Sequence, residues 1–394
     1  MHYALATIGP WRVLLTRPDT NAYGNAALNM STSFHLSRHL GVPLYVAPVN
    51  PGQHQALWQL GCAGVVRART SAARTAALLQ ICRLAGAAAR RGWRNPWAAG
   101  TLPELGVPLP GTEADRAYFG LDLRKLYATV PLEIRLPASA EAASSAAARR
   151  LGLDEHARIV TLHIRESGYK ASMGLVDREK DAARNARPET YLDAVDWLVA
   201  RGYTVVRFGD PLMTPMARPG LIDLATSPAR TPELEIWCVL RSRFFIASDC
   251  GPYNLSVLTG VPCLGVNITH HVGAYPLRAH DRYILKHVID NETGAELRLG
   301  EMLTPAHMKL RWAPGRYTFR DNTPGEICEA VEEMERAAAG QTGAVRGDGQ
   351  RGFRQILVDF LESDYGRRKQ KGSTQPGFYL GDGWIGERFA AAHV

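Results

Sequence analysis

Between Arg158 and Asn267 the chain alternates short apolar runs with helix-forming segments, and this alternation restricts the fold more than any other feature of the sequence. RIVTLHI (158–164) leads through a polar loop (165–187) to PETYLDAVDWLVARG, whose Pro188 suits a first helical turn and whose Gly202 suits a stop. YTVVRF (203–208), LIDL (221–224), RFFIA (243–247) and PCLGVN (262–267) read as further strands, with helices at PELEIWCVLR (232–241) and within 252–259. Strands joined by helical crossovers pair in parallel, so this half is predicted to be a doubly wound α/β domain.

The first half reads more faintly along the same lines. WRVLLT (11–16) and PLYVAP (43–48) flank the loop RPDTNAYGN (17–25) and the helical stretch 26–41, which makes one βαβ unit. AGVVRA (63–68) suggests another strand, followed by an Ala-rich helix. The Ala-rich segment 137–152 is predicted to be helical, with Ser139 as N-cap and Gly152 as stop, and the hinge between halves is placed near it. The expected division is residues 1–150, 151–340, and a C-terminal helix with a basic tail at 341–394. A chain of 394 residues, 46% hydrophobic, has the length and apolar content for two such cores.

The net charge of +8 favours an anionic partner, and a phosphorylated small molecule needs only two or three of those charges. Six cysteines without CxxC or Cys/His zinc spacing read as reduced thiols of a cytoplasmic protein. No signal-peptide pattern or membrane-length apolar run is expected, so membrane contact would be at most peripheral. GDGQRG (347–352) follows a helix rather than a strand, and GxxxxGK[ST], HExxH, GxSxG and DxD are all missing. These absences weaken dehydrogenase, P-loop, zincin and α/β-hydrolase readings and leave nothing that asks for a metal.

In an open parallel sheet, ligands bind beyond the carboxyl ends of the strands, so the residues just after each apolar run are the candidates. His163 and Arg165 lie on one side of the first strand end, and an arginine there can grip a diphosphate; the alternative is an ion pair with Glu166 or Asp210. Gly209 and Asp210 end the next strand, as a ligand-approach turn or as an ordinary strand-ending turn. Ser227 and Glu233 surround the start of the following helix and could line a nucleotide pocket or simply cap. In SDCGPYN, Ser248, Asp249, Gly251 and the helix start at Asn254 form a candidate anion cradle, or a plain helix cap. Cys250 as a nucleophile would need a base and an oxyanion site, and the sequence fixes neither. On the first half, Asp19 is a candidate general base for an acceptor hydroxyl, in a loop with Arg17, Asn21, Tyr23, Gly24 and Asn25 as candidate substrate-binding residues; the alternative is a turn that starts a helix.

Taken together, HIRESGYK, RNARPETYLDAVDWLVARGYTVVRFGDP, LIDLATSP, ELEIWCVLRSRFFIASDCGPYNLSVLTGVPCLGVN and DNTPGEI resemble a family of bacterial glycosyltransferases with two Rossmann-like domains facing a cleft, the GT-B architecture. The resemblance is dense over 158–270, smaller at 321–327 and looser over 1–60. The HIR strand end is distantly similar to the Arg-bearing motif of fucosyltransferases, and the first loop to the acceptor-side aspartate loop of heptosyltransferases. The resemblance implies a nucleotide-sugar donor bound by the second half: Arg165 on the diphosphate, Gly209, Asp210, Ser227 and Glu233 around the nucleotide, and Ser248, Asp249, Cys250, Gly251 and Asn254 near phosphate or sugar. The expected reaction is inverting and metal-independent, with Asp19 or His163 assisting deprotonation of the acceptor and no cofactor beyond the donor. Two rivals are a sugar-nucleotide epimerase or pyruvyl transferase on the same scaffold and a basic nucleic-acid-binding protein. The second lacks interleaved aromatics and any recognisable module.

Overall fold

The computed structural model describes residues 3–8, 11–16, 23–47, 54–68, 129–168, 179–269, 278–340, 347–367 and 383–393, with isolated positions between 76 and 127. The chain divides into two compact units, Met1–Pro137 with Val257–Gly260, and Ala138–Ser256 with Val261–Val394.

In the first unit, β1 (Tyr3–Ile8) and β2 (Trp11–Thr16) form an antiparallel hairpin, and β3 (Leu44–Val46) runs parallel to β2. The crossover between β2 and β3 carries α1 (Tyr23–Leu40), so the expected βαβ unit forms, with β1 added beside it. The predicted strand at 63–68 survives only in part. Val66 and Ala68 bond to Leu44 alongside β3, while β4 (Gly61–Cys62) pairs antiparallel with β5 (Ile134–Arg135). Helix α1 is buried over most of its circumference, including Asn29, Ser31, Thr32, Ser33, His35 and Ser37. Small hydroxyls make this tolerable by bonding back to helix carbonyls, as Thr32 does to Leu28 (2.9 Å) and Ser33 to Asn29 (2.7 Å). Burial lowers the pKa of His35 to about 4, so this core histidine is neutral.

The second unit opens with α2 (Ala138–Arg150), so the chain divides at the start of the Ala-rich segment and the whole helix belongs to the second unit. Glu141 on α2 accepts from Trp237 Nε1 (3.1 Å) and from the Arg241 guanidinium, both later in this unit. Then come β6 (Arg158–His163), α3 (Leu192–Val199) after a 3-10 turn at Pro188–Tyr191, β7 (Tyr203–Arg207), β8 (Leu221–Asp223), α4 (Pro232–Leu240) and β9 (Ser242–Ala247). α5 (Asn254–Thr259), β10 (Cys263–Ile268), β11 (Arg282–Leu285), β12 (His287–Asp290), β13 (Tyr317–Arg320) and α6 (Pro324–Ala338) continue the chain. α7 (Asp348–Glu362), β14 (Trp384–Ile385) and α8 (Glu387–His393) complete it.

Seven strands form one parallel sheet in the order β14-β11-β10-β9-β6-β7-β8. Counted from β6 as the first strand, this is the 3-2-1-4-5-6 winding of a Rossmann-like fold with one strand added. Helices on both faces explain why β6, β9 and β10 are buried along nearly their whole length, whereas β8, at the edge, is half-exposed. The described residues beyond 347 pack into this unit. β14 joins the sheet beside β11, and α7 and α8 contribute Phe353, Phe360 and Phe389 to the same core.

Candidate active site at the switch point

The winding reverses between β6 and β9, and there the first strand end and the SDCG turn meet. His163 is in register with Ala247, Ser248 N–H donates to the His163 carbonyl (3.0 Å), and Arg165 N–H donates to Ser248 Oγ (2.7 Å). Ser248 is fully buried, and its side chain locks the two loops together.

The Arg165 guanidinium lies 3.6 Å from Asp181, and Glu166 pairs with Arg207. Arg184 stands 3.8 Å from the same Asp181 and donates through Nε to Asp249 Oδ1 (3.1 Å). The other oxygen of Asp249 accepts from Thr269 N–H (3.0 Å) and Thr269 Oγ1 (2.5 Å) at the end of β10. Asp249, 2% exposed, is thus held by three donors and fixes Arg184 at the crevice. Two arginines and two aspartates from β6, β9 and the segment between β6 and α3 are therefore gathered at one point.

His163 is buried against Phe208, ring to ring at 5.6 Å, and among the described residues its Nδ1 meets no hydrogen-bond partner. Burial, with Arg207 and Arg165 nearby, lowers its pKa to about 3, so the imidazole is neutral and holds a proton weakly near pH 7. Burial pushes the Cys250 thiol up to about 12, against the pull of the Tyr253 amide and of Arg184 and Arg165. Cys250 precedes the 3-10 turn Gly251–Tyr253 without a side-chain cap bond, and such a thiol has almost no thiolate at neutral pH. Gly251 and Asn254 lie half-buried in the same turn and the helix start after it.

At the next strand end, Gly209 has φ +151, and a Cβ there would come within 2.5 Å of Met213 Sδ, so glycine is required. Glu235, buried at the start of α4, accepts from Arg230 Nε (2.8 Å). Burial raises Glu235 to about 7, against the pull of Arg230 and the Gly209 amide. Asp210 Oδ1 accepts from Leu212 N–H (2.9 Å), and Ser227 Oγ from Ala229 N–H (3.2 Å), so each braces its own turn. Glu233 is half-exposed in the first turn of α4, beside the buried Glu235.

Arg207, 0% exposed, was not singled out by sequence reasoning. Its guanidinium bonds Asp223 (3.1 Å to each oxygen), Glu166 (2.6 Å) and the Thr214 carbonyl (2.8 Å), which pins loop 209–216 to the sheet. A second missed element is a pair of amides. Asn267 N–H donates to Asn322 Oδ1 (3.0 Å), Asn322 N–H donates to Asn267 Oδ1 (2.6 Å), and Asn322 Nδ2 donates to the Leu285 carbonyl (2.7 Å). Asn267 takes the left-handed conformation, φ 58, which asparagine tolerates. This clasp ties the end of β10 to the segment before α6, 55 residues further along the chain.

Tyr23, Gly24 and Asn25 form the first turn of α1 rather than a loop; Tyr23 packs edge-on against His54 at 5.3 Å, Gly24 is buried and Asn25 exposed. Arg17, Asp19 and Asn21 lie outside the described residues.

No protein-family model matches the chain, and no curated protein matches it. Among solved structures it is similar to a family 9 glycosyl transferase from Veillonella parvula DSM 2008, at 12% identity over 64% of this chain and 79% of that one, with a TM-score of 0.38. It is also similar to the ADP-heptose lps heptosyltransferase II of E. coli, at 12% identity over 82% of this chain and 98% of the other, TM-score 0.41. A third similar structure is the dodecameric iron-containing heptosyltransferase TibC, at 12% identity over 64% and 57%, TM-score 0.28.

Proposed function

We propose that the chain is a GT-B glycosyltransferase that moves a sugar from a nucleotide-sugar donor to a hydroxyl or amine acceptor, in glycan or secondary-metabolite biosynthesis. The observation that carries this reading is the pairing of Arg165 and Arg184 at the switch point of a doubly wound sheet, the place where such sheets bind nucleotides. A donor diphosphate would replace Asp181 as the partner of Arg165, with Arg184 kept in place by Asp249. Gly209, Ser227 and Glu233 would border the nucleotide, while Asp210, Ser248, Cys250, Gly251 and Asn254 shape the turns that frame it.

The acceptor oxygen attacks the anomeric carbon as the bond to the diphosphate oxygen breaks, the outcome is inversion, and the acceptor proton passes to a base. The candidates for that base are Asp19 and His163, and burial leaves His163 neutral with its pKa lowered to about 3. Arg165 stabilises the charge that develops on the departing diphosphate, so the reaction needs neither a metal nor a further cofactor. The test is to incubate the whole chain with GDP-, UDP-, ADP- and dTDP-sugars and a set of acceptors. Release of free nucleoside diphosphate only when an acceptor is added supports transfer; interconversion of the sugar nucleotide without acceptor would replace this reading with epimerisation.

A further inference from the structure

A cluster outside the switch-point residues has the composition of a metal centre. His287 on β12, Glu296 in the following connection, Glu326 in the first turn of α6 and His393 on α8 converge from four separate stretches of chain. Glu296 Oε1 lies between two imidazole nitrogens, 2.6 Å from His287 Nδ1 and 3.7 Å from His393 Nδ1. The opposite nitrogens both face Glu326: His287 Nε2 is 3.0 Å from Oε2, and His393 Nε2 is 3.6 Å from Oε1.

We propose that His287 Nδ1, His393 Nδ1 and Glu296 Oε1 bind a divalent transition-metal ion of the zinc class, with Glu326 orienting both imidazoles from behind. A tetrahedral ion with bonds of about 2.0–2.1 Å holds neighbouring donor atoms about 3.3 Å apart, and the separations of 2.6 and 3.7 Å fall on either side of that value. Metal-bound histidines characteristically donate their second N–H to a carboxylate, which fixes the tautomer and raises ligand basicity; Glu326 offers one oxygen to each ring. Glu326 is itself anchored by Thr323 N–H (2.8 Å) and Thr323 Oγ1 (2.9 Å), and the second oxygen of Glu296 accepts from Arg320 (2.8 Å). The ion is a structural tie between α8 and the β12–β13 pair, and the proposal stands apart from the donor reading.

The test is a Co²⁺ titration of the tag-free full chain after chelation and dialysis, read by visible absorption. One equivalent should bind at micromolar concentration, give the absorption of low-coordinate Co²⁺ and be displaced by Zn²⁺. Zn²⁺ should also raise the melting temperature. His393→Gln, at a half-exposed position in the last turn, should abolish the signal, and Glu326→Gln should keep the ligands but weaken binding about 10- to 100-fold. An absence of stoichiometric uptake by the wild-type chain, or equal uptake by His393→Gln with its circular dichroism unchanged, would overturn the proposal.

Discussion

Replacing Asn322 with alanine tests how the carboxyl edge of the sheet is held between β10, β11 and α6. The Asn322 side chain accepts from Asn267 N–H and donates to the Leu285 carbonyl, and it is fully buried. Alanine leaves one donor and one acceptor unpaired away from water; at about 1–3 kcal/mol for each, the loss should be about 2–6 kcal/mol. For a unit of this size that is on the order of 10 °C in melting temperature. The assay is urea unfolding followed by tryptophan fluorescence, with the slope compared to confirm that only stability has moved. Asn267→Ala removes the reciprocal acceptor and the bond to Tyr191 (3.0 Å), so the double variant should lose less than the sum of the single losses. A loss below about 1 kcal/mol for Asn322→Ala, or strict additivity of the pair, would refute the clasp.

Two further predictions concern buried titratable groups. Glu235 has its folded pKa raised to about 7, above the ordinary glutamate value of 4.5, so the stability it contributes is complete below about pH 4.5 and lost as pH rises toward 7, on the order of 3 kcal/mol. Glu235→Gln should flatten the urea midpoint between pH 5 and 7.5, and parallel curves for the two proteins would contradict the assignment. Cys250→Ser should keep most transfer activity, since a buried thiol with its pKa pushed up to about 12 supplies almost no nucleophile at neutral pH; complete loss in a folded variant would return the thiol to the chemistry.

The second unit was largely legible because buried parallel strands are continuous apolar runs, and RIVTLHI, YTVVRF, RFFIA and PCLGVN each became a strand within a residue or two. The strands β11 and β14 escaped notice because four- and two-residue runs carry too little pattern to stand out. β1 was missed for a different reason: it is the antiparallel partner of β2, and the βαβ pattern did not call for one.

The strand-end rule singled out His163, Arg165 and Asp249, which the structure brings to one end of the sheet, while Arg184 and Asp181 lay in a polar loop without periodicity. Arg207 did leave a signal. It interrupts an apolar strand, and parallel register places it beside Asp223 on one neighbour and Leu162 on the other, four residues before Glu166. An arginine level with carboxylates at adjacent strand ends is recognisable once the strand order is known. Glu235 was overshadowed by Glu233 because both lie in the first turn of α4, and only burial separates them.

The central claim is that Arg165 grips a donor diphosphate at the switch point, and the most direct measurement is nucleoside diphosphate binding by wild type and Arg165→Ala. Melting temperature and calorimetry with GDP, UDP, ADP and dTDP should show at least one that stabilises the wild-type chain, with a melting temperature that rises with the logarithm of its concentration. Loss of a charge-assisted bond worth about 1.5–3 kcal/mol should weaken that binding roughly 10- to 150-fold in the variant with the fold retained. Equal affinity in wild type and Arg165→Ala, or no binding of any of the four diphosphates, would contradict the account.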